Sequence, residues 1–188
     1  DAVAAVSLPG LGTAAGEAWA ALSGLGMVGP WLDGWAEEAG LELPDDLVVM
    51  LGDEAALGVG DLDGAPRAYA LVRTDDADRG TRALEVLGAR GGLPVTTEDT
   101  DDGYRAWTDA RARAALEEGP RLADEDRFTE VVAHPDQAFV YVDLAAFVDA
   151  EEASGGDAGD AAALDALGIS GQPDGKDVDG VLRLTFRD

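Results

Sequence analysis

The chain has 188 residues, of which 46% are hydrophobic, and its 39 acidic and 13 basic side chains give a formal net charge of −26. That hydrophobic content argues against disorder as the main state, while the charge disfavours binding to nucleic acid or to anionic membrane surfaces. The chain has no cysteine, which excludes disulfides and cysteine-bearing zinc sites. No apolar run approaches the ~20 residues of a membrane-spanning helix, so we expect no direct membrane insertion.

The acidity has two ordinary interpretations. One is solubility in a high-salt or extracellular setting, and the other is GC-rich coding, since Lys176 is the only lysine. In either case the surface attracts cations and partners with basic patches. The chain begins at Asp1 without an initiator methionine, so we expect that upstream sequence was removed.

The first half of the chain predicts one strand, three short helices and one β-hairpin. The apolar run from Asp1 to Leu8 ends at Pro9-Gly10 and predicts a buried strand. The helices are predicted at Thr13 to Leu22, around Trp31 to Ala36, and at Pro44 to Met50. The hairpin joins Glu54–Gly60 to Arg67–Thr74 across Asp61-Leu62-Asp63-Gly64.

The second half predicts a further hairpin, several helices and two more strands. In chain order these are a helix capped by Asp75 or Asp76 and running to Leu87, a hairpin of Val95–Thr97 and Tyr104–Thr108, helices at Ala110–Glu118 and Asp124–Val132, a strand at Ala138–Val142, helices at Leu144–Glu151 and up to Leu167, and a strand at Val181–Phe186. In the last strand Leu182, Leu184 and Phe186 alternate with Val181, Arg183 and Thr185, which predicts one wet face and one buried face.

Because consecutive strands are often joined by hairpins, we predict an α+β fold with a mostly antiparallel sheet and helices packed on one face. We expect a single domain over residues 1–188. Val6-Ser7-Leu8 with Leu11 is echoed by Val142-Asp143-Leu144 with Phe147. This echo suggests a pseudo-repeat of β–α units that starts near residues 1 and 137.

Three acidic turns are candidate cation sites. Asp61–Gly64 and Asp177–Gly180 both read D-x-D-G, and the segment from Glu98 to Gly103 is denser in carboxylates. Both D-x-D-G turns lack the acids that an EF-hand loop needs at its first and twelfth positions, and Asp-Gly is also a common hairpin turn. Calcium therefore remains possible, and Asp99, Asp101 and Asp102 are the metal ligands that we predict.

The enzyme motifs in the chain are incomplete, so we assign no catalytic or cofactor-binding residue. Gly10 to Ala15 satisfies G-x-G-x-x-A but lacks the following parallel strand that ends in an acid. The single histidine, His134, precedes Pro135, and no serine lies in G-x-S-x-G, so a surface histidine in a turn is the better interpretation. The 39 acids leave a carboxylate-based hydrolase open.

Several segments in order carry a resemblance to a known family. They are Asp1 to Ser7, Leu51 to Val59, Ala70 to Asp76, Arg121 to Phe128 and Phe139 to Leu144. This order is similar to the bacterial domain-of-unknown-function family 3352, and the match covers most of the chain as a later portion of a longer protein. The resemblance implies a membrane-anchored parent protein outside the cytoplasmic membrane, and it implies no catalytic residues.

The function expected from these observations is a non-catalytic extracytoplasmic module for binding, interaction or assembly, with a protein partner or by self-association. The alternatives are a divalent-cation-dependent envelope or adhesion domain and a hydrolase with a carboxylate-based site. The interaction hypothesis predicts an exposed apolar patch or an unpaired sheet edge, first of all at Val181–Phe186.

Overall fold

The computed structural model describes residues 2–23, 28–60, 67–118, 122–153, 155, 159–174 and 177–187. The helices within these ranges are α1 (Leu11–Ser23), α2 (Val28–Ala39), α3 (Asp45–Leu51), α4 (Ala77–Arg90), α5 (Ala110–Glu118), α6 (Asp126–Val131) and α7 (Leu144–Ala153). The strands are β1 (Ala2–Pro9), β2 (Glu54–Gly60), β3 (Arg67–Arg73), β4 (Thr96–Thr100), β5 (Gly103–Trp107), β6 (Ala138–Asp143), β7 (Leu164–Asp174) and β8 (Asp177–Phe186).

The strands form one eight-stranded sheet in the order β4-β5-β3-β2-β1-β6-β7-β8. The pairs β1–β6, β4–β5, β6–β7 and β7–β8 all run antiparallel. The predicted α+β class with a mostly antiparallel sheet is therefore confirmed. The chain divides into two compact units, Asp1–Leu8 with Ala56–Tyr69 and Asp109–Asp188, and Pro9–Ala55 with Ala70–Thr108.

In the first unit, α6 packs on one face of the strands β6, β7 and β8. Phe128 of α6 makes edge-to-face ring contacts with Phe139 and Tyr141 of β6, at centroid distances of 5.3 and 5.4 Å. Gly168 of β7 permits this close packing, because a Cβ atom there would lie 2.5 Å from the carbonyl oxygen of Val131. The aromatic contacts of Phe128 and the close approach at Gly168 together hold α6 on the sheet.

The second unit has two hydrophobic clusters. Leu41, Met50 and Ala83 form the cluster of α3 and α4, and Ala55, Val72, Tyr104 and Ala106 form the cluster of the strands. Asp76 caps α4 by accepting the N–H of Arg79 at 3.2 Å, as one of the two capping residues predicted for this helix. Burial raises the pKa of Tyr104, whose hydroxyl donates to the carbonyl of Met50.

The structure corrects the sequence prediction in the last third of the chain. The segment up to Leu167 was predicted to be helical, but Leu164–Asp174 is strand β7, which pairs with β6 and β8. The D-x-D-G sequence Asp177–Gly180 was predicted to be a turn, but it lies within β8. The corresponding turn at Asp61–Gly64 lies outside the described residues.

Candidate interaction surface

One face of β1, β6, β7 and β8 carries only apolar residues. In antiparallel pairs, directly opposite residues share a face, and the register aligns Ala4, Val142, Leu167 and Leu184 in one row and Val6, Val140, Ile169 and Leu182 in the next. A third row continues with Ala138, Gly171 and Gly180, and Phe186 lies opposite Leu164. We call these residues the apolar face.

The opposite face of the same strands is the buried one. Its rows include Ala5 with Tyr141, and Ser7 with Phe139 and Ser170. Ala5 and Tyr141 belong to a buried cluster with Phe128, Val131, Val132 and Ala166. Burial, the main cause, raises the pKa of Tyr141 to about 12, and the nearby Asp143 carboxylate adds to the shift.

Exposure on the apolar face is greatest at β8. Val140, Val142 and Leu167 are half-buried, Ile169 is 41% exposed, and Leu182 and Phe186 are 65% and 62% exposed. The prediction that Leu182, Leu184 and Phe186 form a buried face of the last strand is therefore wrong, because no described element covers them. The exposed apolar patch expected at this strand under the interaction hypothesis is present.

Among the described residues, no strand pairs with the outer side of β8, which is the last strand in the sheet order. The N–H of Arg187 donates to the carbonyl of Ala163 at 2.8 Å, so Arg187 points its backbone groups toward β7. Backbone direction alternates along an antiparallel strand. The N–H and C=O groups of Leu182 and Leu184 therefore point outward, away from β7.

A hollow of about 130 Å³ lies on the apolar face. It is bordered by Val140, Ile169, Gly171 and Gly180, and its lining is almost entirely apolar. Gly171 and Gly180 are directly opposite one another in the β7–β8 pair, so neither strand contributes a side chain at this point. A missing pair of side chains in an otherwise continuous apolar row leaves space for an apolar group.

A second hollow, of about 260 Å³, is bordered by polar residues that include His134, Ser170 and Asp179. The structure thus places the single histidine beside Ser170, which no sequence pattern predicted. Their hydrogen bond, however, runs from the backbone N–H of His134 to Ser170 Oγ at 3.3 Å. Ser170 is buried and the His134 side chain is exposed, so this arrangement fixes the turn rather than activating a nucleophile.

The buried carboxylate Asp143 pairs with arginine in an ion network. Arg127 lies 3.1 Å from Asp143 Oδ2 and 3.1 Å from Asp165 Oδ1. The β7–β8 register shifts between Leu164 and Leu167, and Asp165 lies in this irregular stretch. In the second unit, Asp46 is likewise buried against Arg79. Both networks neutralise buried acids, as structural ion pairs do.

The predicted metal ligands lie at the tip of the β4–β5 hairpin. Asp99 pairs with Tyr104 and Thr100 with Gly103, which leaves Asp101 and Asp102 as the two turn residues. All three predicted carboxylates are exposed. Among the described residues, no group of three or more His, Cys, Asp or Glu side chains is arranged to hold a metal ion. Calcium binding at Asp99, Asp101 and Asp102 stays a prediction.

Across the described residues, no helix combines the length and apolar character needed to cross a bilayer. No protein-family model matches the chain, and neither the curated proteins nor the solved structures contain a match.

Proposed function

We propose that this chain is a non-catalytic interaction or assembly module that docks through the apolar face and the adjoining edge of β8. The observation that carries the proposal is the exposure of Leu182, Leu184 and Phe186 on a strand with an open backbone edge. Patches of this kind on soluble proteins mark sites of association. A docked partner would both cover the apolar side chains and hydrogen-bond to the open backbone edge.

The free energy available from burying these exposed apolar side chains supports a docking role. Burying a leucine or phenylalanine side chain contributes roughly 1.5–3 kcal/mol. Three neighbouring side chains on one edge strand therefore offer several kcal/mol to a partner that covers them. Single exposed apolar residues are common on protein surfaces, but an unbroken apolar row beside an open edge is not.

The proposed location is extracytoplasmic, in a parent protein anchored to the membrane. It rests on the resemblance to family 3352 that we infer from segments such as Leu51–Val59 and Phe139–Leu144. The high acidity and the lack of cysteine are compatible with this location. Fractionation of cells that express the natural gene product, with protease added outside intact cells, tests it. Protection of the protein in the cytoplasmic fraction would contradict the proposed location.

The docking surface can be tested with Nile red, an uncharged dye whose fluorescence rises on apolar surfaces. The folded chain should enhance the fluorescence, and Leu182→Ser with Phe186→Ser should remove most of that enhancement. The matched control is Leu93→Ser, which changes an exposed leucine of the second unit. Circular dichroism confirms that each variant is folded. Equal dye binding by the control and the double variant would overturn the proposed surface.

A further inference from the structure

We propose that the partner at the β8 edge is a second copy of this chain, which pairs its β8 antiparallel to the first about a two-fold axis beside Leu182. This inference rests on the proposed function and names its partner.

The outward backbone groups allow such a pair. Leu182 and Leu184 direct their N–H and C=O groups away from β7, as the Arg187–Ala163 hydrogen bond indicates. An axis beside Leu182 places Leu182 opposite its symmetry mate and Gly180 opposite Leu184. Every such pair then joins two outward-facing residues, so the ladder of hydrogen bonds can continue from one sheet into the other.

Neighbouring registers are less favourable. An axis at Arg183 places two arginines opposite each other, and an axis at Thr185 places Arg183 opposite Arg187. An axis at Leu184 pairs only the last half of β8. An axis at Val181 leaves Phe186 beyond the end of the partner strand. The Leu182 axis avoids like charges and pairs the backbone over residues 178–186.

The hollow on the apolar face favours the same register. With Leu184 of the second copy opposite Gly180, its side chain projects onto the face where Gly171 and Gly180 leave about 130 Å³ open. A cavity of about 150 Å³ lined by aliphatic residues accepts a molecule the size of benzene. A leucine side chain therefore fits, and symmetry fills both hollows of the pair.

The charge of the chain sets the conditions for pairing. Two copies that each carry −26 repel one another, yet the paired residues 178–186 contain one aspartate and one arginine and so add no net charge. The repulsion thus comes from more distant carboxylates, and salt screens it, because the Debye length falls from about 8 Å at 0.15 M to about 3 Å at 1 M. Self-pairing should strengthen with salt, whereas binding of a basic partner should weaken.

Because the chain has no cysteine, single cysteine variants report the register directly. Leu182→Cys should form a disulfide-linked dimer under mild oxidation, since opposite residues of an antiparallel pair bring their Cα atoms within disulfide range. Leu184→Cys alone should not, because its symmetry mate lies four residues along the strand. Leu93→Cys, exposed in the second unit, is the control for random collision.

Sedimentation equilibrium of the unmodified chain between 0.15 and 1 M NaCl completes the test. We expect dimerisation to increase with salt, and Leu182→Glu to weaken it about tenfold or more while Leu93→Glu leaves it unchanged. A chain that stays monomeric at 1 M NaCl, or cross-linking of Leu182→Cys no greater than that of Leu93→Cys, overturns the proposal. Nile red binding that persists in that case keeps the docking surface and rejects only the second copy.

Discussion

Two hairpins close the sheet at its opposite ends, and their surfaces differ. The terminal strand β4 has five residues, Thr96–Thr100, all of them polar or acidic. Its partner β5 carries Tyr104, Ala106 and Trp107, all buried. The terminal strand β8 has ten residues, with Leu182, Leu184 and Phe186 exposed, and β7 behind it exposes Ile169.

This difference makes β4 an edge that is protected from pairing with other chains and β8 an edge that is available for it. Short, charged edge strands prevent sheets from pairing with other chains, whereas long apolar edges invite it. The β4–β5 hairpin buries its apolar residues in the second unit and presents charge to solvent. The β7–β8 hairpin presents apolar side chains and open backbone groups. One fold thus contains both solutions, and only one of them is suited to association.

The largest expected contrast is between an aromatic residue of each hairpin. Tyr104 is 1% exposed and donates its hydroxyl to Met50, so Tyr104→Ala should lower the free energy of unfolding by about 3–5 kcal/mol. Phe186→Ala should change it by less than about 1 kcal/mol, because Phe186 is already in water. Urea unfolding of the two variants measures both. Similar losses would mean that Phe186 is part of a hydrophobic core.

The glycines of the two hairpins provide the next contrast. Gly103 has φ of 150°, and a Cβ atom there would collide with the carbonyl oxygen of Val72. Gly103→Ala should therefore cost about 2 kcal/mol or more. Gly180→Ala should cost much less, since its nearest obstacle is the Ser170 oxygen at 3.3 Å. Thermal unfolding compares them, and a larger loss for Gly180→Ala would contradict the assigned backbone.

Alkaline pH tests the covered side of the β7–β8 region. The pKa of Tyr141 is raised by burial to about 12, and its hydroxyl has no hydrogen-bond partner among the described residues. A raised tyrosine pKa stabilises the fold below pH ~10, and this stability is lost between pH ~10 and ~12. The unmodified chain should thus lose on the order of 2 kcal/mol more than Tyr141→Phe over this range. If the unmodified chain and Tyr141→Phe lost equal stability in urea unfolding between these pH values, the pKa of Tyr141 would not be raised.

The sequence predicted the parts of this fold in which local patterns and packing agree. The hairpin strands Glu54–Gly60 and Arg67–Arg73 and the apolar strand at Ala138 follow from alternation and turn residues. Strand β7 was missed because Leu164–Asp174 contains two glycines and a proline and no long apolar run. Its pairing with β6 and β8 determines its conformation. Local propensity does not predict pairing between segments that are distant in sequence.

The position of the candidate surface was predicted, but the sequence supported both a buried and an exposed apolar side for this strand. Alternation along Val181–Phe186 correctly indicated a strand with two different faces, but the pattern alone could not show that the apolar side stays exposed. That depends on which face α6 covers, and hence on contacts such as Phe128 with Tyr141. The Gly171–Gly180 hollow was equally hidden, since it needs the register between two strands, one of which was predicted to be a helix.

The smallest expected effect concerns the charged edge itself. Glu98 of β4 pairs across the hairpin with Arg105 of β5 at 2.9 Å, and both side chains are partly exposed. Such pairs contribute only about 0.2–1 kcal/mol, so Glu98→Gln should lower stability by no more than that in urea unfolding. If β4 serves to keep the edge unattractive, the same change should also leave dye binding and self-association unaffected, because Thr96, Asp99 and Thr100 still present a polar strand. Leu182→Gln should lower dye binding at an equally small cost in stability. If Glu98→Gln lowered dye binding and Leu182→Gln did not, β4 rather than β8 would be the associating edge.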